Sequence, residues 1–109
     1  MVKLKRHELA AEAARRNRAQ LAVVGGQVRA ARHRRGWTQL QLGDRVALSR
    51  SAVSAIERGL GGSHTLDTWQ RVAVALDIPL RIELGRDVYE ELADAGHLRI
   101  QGAGVQAFA

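Results

Sequence analysis

Apolar residues recur at helical spacing through the middle of the chain and switch to alternation further on. Val28 and Ala31 share one side of a predicted first helix, from about Gln27 to Arg35. Gly36 closes it, because glycine accepts the positive φ of a helix C-terminus. Leu42, Gly43 and Val46 mark the inner side of a second helix, from Thr38 to about Val46. Thr38 is its N-cap, and Gln41 three residues on completes a capping box. Only Ala47 and Leu48 separate it from Ser49, the N-cap of a third helix. That helix carries Val53 and Ile56 at i, i+3 and ends at Gly59. A loop to Ser63 leads to a fourth helix starting at Thr65 or Asp67. Its Leu66, Trp69, Val72, Ala73 and Leu76 fall at helical spacing, and Pro79 stops it.

Beyond Pro79 the period changes. Leu80, Arg81, Ile82, Glu83 and Leu84 alternate strictly and read as a strand. A lone strand leaves its edges unpaired, and no second convincing strand exists in the chain. The same strand of a second subunit, across a two-fold axis, is the expected partner. Arg86 to about Gly96 reads as a short acidic helix, and Gln101 to Ala109 as a loose tail. At the other end, residues 1–24 are rich in Ala, Arg and Glu, with helix formers throughout and a thin apolar stripe. They form a basic N-terminal helix or arm, punctuated by Gly25 and Gly26. Three parts follow: residues 1–24, a helical domain over 25–79, and a dimerisation or partner-binding extension over 80–109.

Composition supports helices and narrows the partner. Hydrophobic residues are 46% of 109, enough for a packed domain. The four aromatics are Trp37, Trp69, Tyr89 and Phe108, so the core must be aliphatic. With no Cys, disulfides and thiolate metal sites are excluded. The start of the chain has no apolar signal core and no run approaches a membrane span, so a cytoplasmic protein without membrane contact is expected. The net charge is +6 and uneven. Residues 1–36 hold ten Lys or Arg and two Glu, whereas the remainder holds seven Arg and nine acids. A basic segment of this kind fits a polyanion, because each neutralised phosphate releases a counterion.

The stretch from Thr38 to Gly59 carries the function. Two helices joined by a very short turn need a small residue where they cross, and Gly43 supplies it. Leu48, Val53 and Ile56 face inward, while Ser49, Arg50, Ser51 and Ser54 are short or polar groups at the start of the second helix of the pair. The combination of Arg-Gly-Trp-Thr-Gln at 35–39, Ser-Arg-Ser-Ala-Val-Ser at 49–54, Ile-Glu-Arg-Gly at 56–59 and Ala-Leu-Asp-Ile at 75–78 resembles the Cro/cI-type (Xre) helix-turn-helix family. The resemblance covers about Val28 to Leu80. It implies an all-α, lambda-repressor-like helical bundle that binds double-stranded operator DNA as a homodimer. It implies that Arg50, Ser51 and Ser54 face bases and that Ser49 caps the helix and touches the backbone. It also implies that Gln39 contacts a phosphate or anchors the recognition helix, and that Arg32 pairs with Glu57. The family usually has Gly at the turn position held here by Ala47, and Ala in αL costs roughly 1 kcal/mol. The region after the bundle is similar to antitoxin repressors of toxin–antitoxin operons, whose post-bundle strands pair across a dimer.

The expected role is therefore a transcriptional regulator of repressor type, reading the major groove with the helix from Ser49 to Arg58. Arg50 is the first candidate, since Arg donates two hydrogen bonds to guanine. Arg58 completes the candidate DNA-binding set of Gln39, Ser49, Arg50, Ser51 and Ser54. Two alternatives stay open: an antitoxin that binds and neutralises a partner toxin, and the DNA-targeting module of a longer enzyme or regulator. Trp37 and Trp69 are assigned to packing rather than base stacking. No catalysis or cofactor is expected. The four His residues (7, 33, 64 and 97) lack i, i+4 spacing for a metal. Gly59 to Gly62 lacks the Lys and Ser/Thr of a phosphate loop. Glu90, Glu91 and Asp94 read as a solvated helix face.

Overall fold

The computed structural model describes residues 3–87, which form four helices in chain order: α1 (Arg6–Arg34), α2 (Gln39–Val46), α3 (Arg50–Glu57) and α4 (Leu66–Ala75). The caps set the boundaries. Thr38 Oγ1 accepts from the Gln41 amide at 3.1 Å, and Gln41 Oε1 accepts from the Thr38 amide at 2.8 Å. Ser49 Oγ accepts from the Ala52 amide at 3.0 Å, and Thr65 Oγ1 from the Thr68 amide at 3.2 Å. Thr65, not Asp67, therefore starts α4. Gly36, at φ 69°, turns the chain out of α1.

The core is aliphatic. Val28 and Ala31 from α1 meet Leu42 and Val46 from α2, Val53 and Ile56 from α3, and Val72 and Leu76 from α4. Trp37, Leu48, Trp69, Ala75 and Ile78 pack around this cluster. Trp69 satisfies its ring N–H by donating to the Gly61 carbonyl at 3.2 Å. α1 lies on α3, α3 on α2, and α2 on α4. No helix among the described residues is long and apolar enough to cross a membrane.

One expectation changes. Gly25 and Gly26 do not end a helix, because α1 runs through them as one element of 29 residues. Each glycine costs about 1 kcal/mol in a helix interior, but Gly25 lies where α1 touches the end of α3. A Cβ there would collide with the Ile56 carbonyl oxygen and lie 3.0 Å from that of Glu57. Close helix packing, not punctuation, explains Gly25; no contact explains Gly26. The strand expected at Leu80 to Leu84 was one half of a pair across a two-fold axis, and the single chain holds only that half. No strand forms among the described residues, since a lone segment has no ladder within one chain. Ile82 and Leu84 stand in solvent, 69% and 97% exposed. The expected acidic helix running to Gly96 and the tail from Gln101 lie outside the described residues.

The turn between α2 and α3 holds the tightest geometry. Ala47 sits in the left-handed region at φ 61°, ψ 44°. The Leu48 amide donates to the Gly43 carbonyl at 2.9 Å. A Cβ on Gly43 would run into the Leu48 carbonyl oxygen and approach its carbon to 3.3 Å. Ala47→Gly is expected to raise the stability read by urea unfolding by about 1 kcal/mol, because it relieves the αL cost. Gly43→Ala is expected to lower it by about 1–3 kcal/mol through overpacking. Opposite signs would contradict this account of the turn.

Candidate nucleic-acid interface

α3 has two faces. Val53 and Ile56 are each 1% exposed, and Glu57 is also buried. The other face carries Arg50, Ser54 and Arg58 at i, i+4, i+8, with Ser51 beside them. Arg50, Ser51 and Arg58 are exposed and Ser54 is half-buried. Arg58 Nε donates to Ser54 Oγ at 3.3 Å, so these two side chains lie together on the surface. Ser49, also exposed, spends its hydroxyl on the Ala52 amide as N-cap. Four of the six candidate residues thus share one outward face of a short helix, and Ser49 fixes where that helix begins.

The sixth, Gln39, has a different place. It opens α2, and its side-chain amide donates to Glu57 Oε1 at 3.2 Å. It is an anchor for α3 in the free chain. The same carboxylate receives Arg32, whose Nε donates to Oε2 at 2.6 Å and Nη2 to Oε1 at 2.9 Å. Arg32 Nη1 also donates to the Trp37 carbonyl at 2.8 Å. Both side chains of the pair are nearly sealed from solvent, 9% and 1% exposed. α1, the start of α2 and the end of α3 are therefore tied at one buried point.

Burial pushes the Glu57 carboxyl up. Hydrogen bonds from Arg32 and Gln39, with the charges of Arg32 and Arg29, outweigh it and hold the group below its ordinary value. The hydrogen bond to Glu57 raises Arg32 in turn.

Sequence reasoning missed three contacts around the motif. Arg71 of α4 donates to the Val46 carbonyl at 3.2 Å and pairs with Asp67 at 2.9 Å. It satisfies the last turn of α2 just before the strained Ala47. The Asp67–Arg71 spacing of i, i+4 was visible, but the reach to Val46 is tertiary. Arg45 lies over the Trp37 ring, 4.0 Å from its centroid, and covers the opening of α2. Arg29 of α1 is exposed yet close enough for its charge to act on Glu57.

Comparison with known proteins agrees with this geometry. A helix-turn-helix family model matches residues 28–82, which span every candidate residue. Neither the curated proteins nor the solved structures gave a significant match.

Two outcomes follow for the buried pair. Glu57→Ala is expected to cost about 3–5 kcal/mol, because it strands the Arg32 charge. The double change Arg32→Met with Glu57→Leu is expected to cost less, and an equal cost would contradict the ion-pair account. Because the Glu57 carboxyl is depressed in the folded state, its contribution is present above its ordinary value of 4.5 and is lost as pH falls through the lower folded value. A pH series of urea unfolding should show that loss in the native chain and a shallower one in Glu57→Gln.

Proposed function

The chain belongs to the Cro/cI-type helix-turn-helix family of DNA-binding regulators, and on that premise we propose that it is a homodimeric, sequence-specific repressor. One observation carries the reading: Arg50, Ser51, Ser54 and Arg58 project together from α3 while its opposite face is buried. A helix so mounted fits the major groove, which is about as wide as a helix with its side chains. Arg50 reads a guanine by two hydrogen bonds, and the serines meet bases or phosphates. The Ser49 backbone amide meets a phosphate at the start of α3. Gln39, at the start of α2, holds the angle of α3 from within through its side chain and presents its backbone amide to the DNA backbone.

The dimer supplies the second half-site, about one helical turn or ~34 Å away. The free segment from Leu80 to Leu84 is the proposed junction. Pairing with its two-fold copy would satisfy the facing edge of each strand and set Ile82 and Leu84, which a monomer leaves in water, beside their counterparts. Occupancy of a promoter by such a dimer blocks transcription by exclusion.

In vitro selection from randomised duplexes tests the reading. Wild-type protein is expected to enrich a two-fold site. Arg50→Ala is expected to lose the preference at one base pair per half-site, a discrimination of about 1–3 kcal/mol, while binding to random duplex persists. Equal loss on selected and random duplex would remove Arg50 from the reading role.

A further inference from the structure

α1 is longer than the bundle needs. Its 29 residues span about 43 Å. Contacts with the bundle begin at Leu21 and Ala22, which approach Gly62 and Gly59. Residues 6–20, about 22 Å of helix, are exposed except for the half-buried Glu12. A helix that projects from its domain needs a partner or a set of local pairs to account for it.

The projecting part has little apolar surface to offer. Leu9 is its one large exposed hydrophobic residue among the described positions, and the rest is mainly Ala and Arg. Its charge is lopsided: Lys3, Lys5, Arg6, Arg15, Arg16 and Arg18 face only Glu8 and Glu12. Both acids are engaged locally. Glu8 accepts from the Lys5 amide at 2.8 Å and so caps the helix. Glu12 receives Arg15 at 2.6 Å and Arg16 at 2.8 Å, and these hydrogen bonds lower its pKa to about 2. The partner that fits this surface is a polyanion.

The register of α1 says where that partner lies. Positions 18, 22, 25 and 29 share one face. Ala22 and Gly25 touch the end of α3 at Gly59, Ile56 and Glu57. Arg18 and Arg29 therefore straddle that contact, about 16 Å apart along the helix axis. Both are exposed, and neither makes a hydrogen bond or ion pair within the described residues. Arg58, the exposed C-cap residue of α3, lies next in sequence to the Glu57 and Gly59 backbone that α1 touches, and its side chain rests on Ser54 on the outward face of α3.

We infer that α1 is a second DNA-contacting element, in which Arg18 and Arg29 hold the phosphodiester backbone of the same duplex that α3 reads. The inference rests on the proposed DNA-binding reading and adds a contact without base preference. α3 selects the site, and α1 adds affinity that salt screens.

Fluorescence anisotropy of the full chain on a labelled 40-base-pair random duplex, across a KCl series, tests it. The variants are Arg18→Gln/Arg29→Gln and, separately, Arg50→Ala. Thermal circular dichroism checks that each folds as the native chain does. Losing two phosphate contacts should make the slope of log K against log salt shallower by about 2, at about 0.9 per contact. A double variant with the native slope overturns the α1 contact while leaving the α3 reading standing. A loss seen on a 40-nucleotide single-stranded RNA but not on the duplex also overturns it. Failure of the native chain to bind duplex at any salt overturns the proposed function, and the α1 contact with it.

Discussion

Arg32 and Glu57 meet where neither charge can turn to water. An arginine and a carboxylate withdrawn from solvent are tolerated only when the geometry is good and the remaining donors and acceptors are used. Both conditions hold. Two parallel N–H···O bonds join the pair, a third guanidinium donor takes the Trp37 carbonyl, and Gln39 adds a further hydrogen bond to the carboxylate. No buried side-chain polar atom is left without a partner among the described residues. The network tolerates one arrangement of three helices. It therefore decides the angle at which α3 is presented, which packing of Val53 and Ile56 alone would leave looser.

α3 shows why such control is needed. At eight residues it is too short to be stable alone. Its existence comes from a cap at Ser49, two fully buried side chains and the ionic anchor at Glu57. Its position comes from a turn with almost no slack. Gly43 lets Leu48 pass close, Ala47 accepts a left-handed conformation, and Arg71 secures the Val46 carbonyl from α4. The strain at Ala47 and the rigidity of the anchor belong to one design, in which a short helix is held out from the bundle with its polar side free.

Much of this was legible in the residues. Thr38 and Ser49 announced the starts of α2 and α3 because a cap is a local event, decided within four positions. Gly43 and Ala47 could be read because a two-residue turn leaves few conformations. Gly25 was misread because a glycine in a helical stretch has two physical meanings, a stop or a close approach, and only the partner helix distinguishes them. The Arg71 contact was hidden for a similar reason: its acceptor lies 25 residues away. The alternation at Leu80 to Leu84 is a true period-two pattern, but a strand is a property of a pair, and one chain supplies half of it. The face of α3 was legible as a set of positions, while the strip through Arg18 and Arg29 needed the contact of α1 with the end of α3.

The central claim is that DNA meets this protein on the outward face of α3. Backbone amide chemical shifts of the isotope-labelled chain, followed as duplex DNA is added, test it most directly. The account predicts the largest changes from Ser49 to Arg58, with smaller ones at the start of α2 and along the basic side of α1. Changes centred on the exposed side of α4, around Gln70 and Val74, with Ser49 to Arg58 unmoved, would contradict it.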